Sequence, residues 1–153
     1  MLAIIEEEQG NKVNWESLFK KLINHDVVEA LTGDILSFVK HKNPDMKKMV
    51  DIIEEEVAEE NLFFYMEQPY RDIYKKLLFD GKDDTLEGQI LRAADHIDAL
   101  IECINEISLG NCTPFEDKYR TILKQLEESS LYSTKYFFKE ILPNLLTDCE
   151  RLK

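Results

Sequence analysis

A histidine, an aspartate and a glutamate crowd into Asn24-His25-Asp26-Val27-Val28-Glu29-Ala30-Leu31-Thr32-Gly33-Asp34, a stretch otherwise largely apolar. On a helix, His25 and Glu29 stand one turn apart and Asp26 precedes Glu29 by three, so all three side chains project toward one site. Burying such groups unpaired consumes a large part of a domain's stability margin, so the pattern calls for a metal ion, a partner or water. It reads as one edge of a metal-centred hydrolytic site. A second signal lies far downstream in Arg92-Ala93-Ala94-Asp95-His96-Ile97-Asp98. There Asp95 follows two alanines, whose small side chains let a metal or another helix come close. A carboxylate in that place can complete a site begun by His25 and Asp26.

The elements that must position these groups all read as helices. Leu2 to Glu8 forms the first, stopped by Gln9-Gly10-Asn11. Asn14 caps the next, whose Trp15, Leu18, Phe19, Leu22 and Ile23 recur at helical spacing and run on to Leu31, carrying the His-Asp pair within it. Thr32-Gly33 breaks that helix, and Lys40 to Asp45 reads as a polar loop containing Pro44. Met46, Met49, Val50, Ile53 and Val57 mark a third helix, and Tyr70, Ile73, Tyr74 and Leu77 a fourth that closes at Asp80-Gly81. The fifth is the clearest: after Asp84-Thr85, the residues Leu86, Ile90, Ala93, Ile97, Leu100, Ile104 and Ile107 make a continuous core stripe ended by Gly110. Thr113-Pro114-Phe115-Glu116 is a capping box with proline at the first helical position. It opens a sixth helix through Leu126. A seventh runs from Leu131 to Leu146, and Pro143 should kink or shorten it. No alternating strand pattern, internal repeat or linker interrupts the series, so the expected architecture is all-α in a single domain over residues 1 to 153.

Composition narrows the function classes. An apolar fraction of 44% and a charged fraction of 33% describe an ordinary globular chain. A formal charge of -12 argues against duplex nucleic acid as a partner. No apolar run approaches the roughly 20 residues that span a bilayer, and the N-terminus lacks the basic flank of a signal peptide, so a cytoplasmic location without membrane attachment is expected. Cys103, Cys112 and Cys149 lack metal-knuckle or disulfide spacing and read as free thiols.

The combination of His25-Asp26 with Glu29 and Thr32-Gly33-Asp34, followed by Ala93-Ala94-Asp95 and Ile107-Ser108-Leu109-Gly110-Asn111, resembles the HD-domain phosphohydrolases of the bacterial 5'-deoxynucleotidase type. The resemblance covers roughly residues 13 to 146. It implies a helical bundle that hydrolyses phosphomonoesters of (deoxy)nucleoside 5'-monophosphates. It also implies roles: His25, Asp26 and Asp95 as metal ligands, Glu29 to position or deprotonate water, Asp34 on the nucleotide sugar and Lys40 toward the phosphate. A mixed imidazole and carboxylate set suits manganese, cobalt, magnesium or iron better than structural zinc. The family's first histidine ligand sits on a preceding helix that this sequence lacks, so weakened turnover is expected.

Two other readings compete. The acidic run Glu54-Glu55-Glu56 with Glu59 and Glu60 reads as a solvent face. Within it, Glu55, Glu56 and Glu59 also approximate the first half of the magnesium motif of all-α nucleoside triphosphate pyrophosphatases, with Asp95 and Asp98 a poor second half. Alternatively the chain is a non-catalytic helical module. The apolar stripe Trp15, Leu18, Phe19 and Leu22, short of a covering helix, would then be buried by a second copy, and a homodimer is expected in either case.

Overall fold

The computed structural model describes residues 1–33, 35, 40 and 43–147, and the chain divides into two compact units. Among the described residues every regular element is helical, and none of these helices is long and apolar enough to cross a membrane.

The first unit joins Met1–Trp15 to Asp84–Lys153. It is built from α1 (Leu2–Glu8), α6 (Leu86–Ser108), α7 (Cys112–Glu127), α8 (Tyr132–Tyr136) and α9 (Leu142–Leu145). The second, Glu16–Asp83, holds nearly all of α2 (Trp15–Asn24), with α3 (Glu29–Thr32), α4 (Pro44–Ala58) and α5 (Tyr70–Phe79).

The long α6 forms the spine of the first unit. Thr85 has extended backbone and its hydroxyl accepts the Gly88 N–H at 3.2 Å, which fixes the helix start. The expected stripe is then buried from Ile90 through Ala93, Ile97, Leu100 and Ile104 to Ile107. Against it pack Tyr119, Ile122 and Leu126 of α7. Thr113, expected to cap this helix, has an extended backbone with φ of -100° and ψ of 120°, and the helix kinks there rather than starting at that point. Pro143 acts upstream of itself. It lacks an N–H and its ring crowds the carbonyl four residues back, so α8 widens into a π-helical turn at Phe137–Ile141 before α9 resumes. The expected seventh helix is therefore three short pieces.

A buried carboxylate ties the ends of this unit together. Glu6, 1% exposed, accepts the Ser133 N–H at 2.7 Å and the Asn11 side-chain amide at 2.7 Å. One side chain thus satisfies an orphan donor in the first turn of α8 and closes the turn after α1.

The second unit has a smaller core. Val28, Ala58, Phe63 and Leu78 form it, with Val27, Leu62, Met66 and Tyr74 at its edge. Phe63 meets Tyr74 and Phe79 edge to face, with ring centroids 6.4 and 6.5 Å apart. Asn43 caps α4 by accepting the Met46 N–H at 2.7 Å, and Pro44 occupies the first turn. The stripe expected on α4 holds only in part: Val50 and Ala58 are buried, while Met46, Met49 and Ile53 face outward. Lys21 is buried to 8% exposure and donates to Gly81 O at 3.1 Å and Asp83 Oδ2 at 2.6 Å, pinning α2 to the turn after α5.

Replacing Glu6 leaves the Ser133 N–H buried without an acceptor, a loss of about 1–3 kcal/mol. Glu6→Ala is expected to lower the urea midpoint by a matching amount with an unchanged slope. Glu6→Gln, which keeps one acceptor oxygen, should recover part of that loss.

Candidate active site

The chain around His25 is not the continuous helix its periodicity suggests. α2 stops at Asn24, and residues 25–28 form tight turns before α3 begins at Glu29. The backbone switches from helical bonding, His25 N–H to Lys21 O at 3.0 Å, to shorter-range bonding: Val27 N–H to Asn24 O at 3.3 Å and Glu29 N–H to Asp26 O at 3.0 Å. Two causes act together. Val27 and Val28 are β-branched and lose side-chain freedom in a helix. The ring of His25 also turns back, its Nδ1 lying 2.9 Å from Leu22 O and closing the last turn of α2 with a side chain. Val28 then inserts into the core beside Ala58 and Phe63, which anchors the turn from its other end.

That hydrogen bond fixes the chemistry of the ring. A carbonyl oxygen only accepts, so Nδ1 carries the proton and donates. The other nitrogen, Nε2, lies 2.8 Å from Asp26 Oδ2. In a neutral ring Nε2 is a bare lone pair, and it faces a carboxylate that is also rich in lone pairs. The two tolerate each other at that distance only with positive charge between or beside them, as a proton on the ring or a divalent cation. The His25 side chain is 16% exposed and that of Asp26 53%, so the pair is fixed on one side and open on the other. This donor set fits a divalent ion.

Glu29 is half-buried at the first position of α3. Gly33 ends α3 with φ 75° and ψ 154°, a left-handed backbone that a β-carbon would strain, and its N–H reaches Glu29 O at 2.8 Å. The chain leaves α3 there toward Asp34, which lies outside the described residues. Lys40 donates to Glu54 Oε1 at 2.7 Å, both side chains being largely covered. Asp95 stands half-buried on α6 beside buried Ala93 and Ile97, in the first unit, while His25, Asp26, Glu29 and Lys40 belong to the second. Among the described residues no set of three His, Cys, Asp or Glu side chains is gathered within one metal's reach.

The acidic run at the end of α4, continued by Glu59 in the π-helical turn Glu59–Phe63, departs from a plain solvent face. Glu54 is taken by Lys40, and Glu59 pairs with both Arg71 and Lys75, the Lys75 bond at 2.8 Å. The Lys75 ammonium is the main cause holding the Glu59 carboxyl below the usual carboxylate range, and Glu59 in turn raises Lys75. Glu59, a required member of the magnesium motif in the pyrophosphatase reading, thus spends its charge on two cations of α5. The signal in the sequence was there: Arg71 and Lys75 are spaced one turn apart on the helix that follows. Arg92 and His96, neighbours of Asp95, line a polar pocket of the first unit; their spacing of four residues places them on one face of α6 without revealing the opposite wall.

An all-helical chain with an adjoining His-Asp pair and a downstream helical aspartate defines the HD-domain class of metal-dependent phosphohydrolases. A solved HD-domain phosphohydrolase from Listeria innocua superposes with a TM-score of 0.79 at 39% sequence identity, over 94% of this chain and 69% of that one. A 5'-deoxynucleotidase of Vibrio atlanticus is 31% identical over 144 residues, which are 94% of this chain and 73% of the relative. One of Photorhabdus laumondii is 29% identical over 143 residues, 93% of this chain and 72% of its own length. The family model described as 5'-deoxynucleotidase YfbR-like matches residues 1–145, and the chain belongs to that family.

The His25–Asp26 pair gives a direct test. Calorimetric titration of manganese or cobalt should show binding to the wild type that weakens at least about tenfold in Asp26→Ala, the order of loss seen when a ligand or its support is removed. Equal affinities would mean that the ion sits elsewhere.

Proposed function

We propose that this chain hydrolyses the phosphomonoester bond of deoxynucleoside 5'-monophosphates at a divalent cation bound by His25 and Asp26. The observation that carries the reading is the His25 ring, locked by Leu22 O with its second nitrogen 2.8 Å from Asp26. The family relationship supports the reaction class. The cation, manganese, cobalt, magnesium or iron by ligand type, supplies Lewis-acid polarisation of the phosphoryl group when bound.

The remaining steps fall to the chain's own side chains. The Glu29 carboxylate orients the attacking water and takes its proton. Asp34 hydrogen-bonds the sugar. Lys40 turns its ammonium to the phosphoryl oxygens, exchanging one anionic partner, Glu54, for another. The compartment proposed is the cytoplasm, in keeping with the free thiols of Cys103 and Cys112. Phosphate release from deoxynucleoside 5'-monophosphates with added manganese or cobalt tests the assignment. Glu29→Gln is expected to lower kcat by about 10²–10⁴-fold, the usual share of a general base, with little change in metal affinity. Turnover unchanged in that variant would place the chemistry elsewhere.

A homodimer is part of the same proposal, and the exposed face of α2 favours it. Phe19, Leu22 and Ile23 are 53%, 37% and 72% exposed, although Leu18 beside them is buried. Covering each such side chain contributes roughly 1.5–3 kcal/mol, and a few of them offset the entropy of pairing. Light scattering at micromolar concentration should give twice the 18.0 kDa chain mass, and Phe19→Asp with Ile23→Asp should return the monomer. A wild-type monomer that binds no hydrophobic dye would overturn this part.

A further inference from the structure

We infer that the first unit carries a second small-molecule site, for a neutral planar ligand of the nucleoside class, on the face of α6 bearing Arg92 and His96. These two residues come from the same stretch as Asp95, and the hydrolytic reading leaves them without a role. They stand one turn apart and line a pocket of about 370 Å³, within the roughly 300–1,000 Å³ typical of small-molecule sites. All its described walls belong to one unit, the start of α6 on one side and the end of α7 with the following turn on the other.

Charge decides the ligand class. The lining holds one guanidinium, Arg92, against two carboxylates, Asp84 and Glu128, in a chain of net charge -12. A phosphate dianion is repelled by that balance; an uncharged molecule is not. Shape points the same way. The guanidinium and the imidazole are flat and stack on aromatic rings, and Leu126 supplies an apolar floor. The Gln125 amide offers a donor and an acceptor side by side, the pairing that reads the edge of a nucleobase.

The wall exists before any ligand arrives. Gln89 donates from Nε2 to Asp84 O at 2.9 Å, and its Oε1 accepts the Ser130 hydroxyl at 3.4 Å, bracing the start of α6 to the turn after α7. Binding therefore spends little on ordering this side. If the proposed function holds, the nucleoside product is such a ligand, and a bound one bears on the same turn of α6 as Asp95. That identification rests on the proposed function, whereas the class of ligand rests on the lining alone.

NMR titration of the isotope-labelled full chain with deoxyadenosine, and separately with inorganic phosphate, tests the site. Deoxyadenosine should shift signals of Arg92, His96 and Gln125, and affinity should fall about tenfold in Arg92→Ala and in Gln125→Ala while staying unchanged in Asp26→Ala. Gln125 is exposed, so its replacement leaves the packing intact. Three results would each overturn the inference: no binding at millimolar nucleoside, affinity indifferent to both pocket variants, or phosphate binding the pocket more tightly than the nucleoside. A phosphatase assay on the same samples separates the two proposals, because nucleoside binding without turnover would sink the hydrolytic reading and leave this one standing.

Discussion

One hydrogen bond, from the His25 ring to the Leu22 carbonyl, sets the character of the whole candidate site. It selects the tautomer, aims Nε2 at Asp26 and terminates α2 in the same contact. The end of a helix concentrates partial negative charge on its last carbonyls, and here that end lies beside a carboxylate. The result is an acidic corner made from an acceptor-only backbone group, an imidazole of fixed orientation and a carboxylate side chain. Had the helix continued, its carbonyls would have been satisfied by backbone N–H groups and the imidazole would have been free to rotate. Breaking the helix is what gives the pair a fixed geometry.

This is also why the fold was more legible in the sequence than the site. The stripe from Ile90 to Ile107 has one physical explanation, burial against another helix, and the structure returns it residue for residue. The Asn43 and Thr85 caps follow from the same local rules. The stretch from His25 to Val28 obeys two rules that conflict. Its apolar spacing favours a helix, while its β-branched pair and a histidine able to reach back to a carbonyl favour a turn, and spacing alone cannot weigh them. The contact between His25 and Asp26 belongs to the turn, because side chains of adjacent residues diverge on a helix. The short α4 stripe shows the opposite failure: Met46, Met49 and Ile53 have core periodicity yet face outward, since periodicity names a face without naming what covers it.

Charge was legible as a total and illegible as an arrangement. The acidic run on α4 looks solvated in one dimension, but a carboxylate and a cation on successive helices come together only once those helices pack. Glu54 and Glu59 therefore serve as structural anions of the second unit, holding Lys40 and the pair Arg71 and Lys75. Each of these partly exposed pairs contributes little on its own, about 0–1 kcal/mol. Their effect is on position: they decide where the few cations of a strongly acidic chain are held.

That scarcity shapes the reaction. A nucleoside monophosphate is an anion approaching a chain with 31 acidic and 19 basic residues, which on total charge alone should reject it. Screening at physiological salt limits each charge to a reach of about 8 Å, so the approach is governed by the groups lining the site and hardly by the total. Locally the balance can be reversed by few charges. In the proposed reading, a divalent cation on His25 and Asp26 would more than cancel the aspartate, and Lys40 released from Glu54 would add a positive end. In that reading the acidic surroundings would act in another way: they would retain the cation between turnovers and disfavour the phosphate product, which carries its charge in full after leaving the sugar. A neutral nucleoside is subject to neither effect, so the two products of one cleavage leave an acidic chain under different forces.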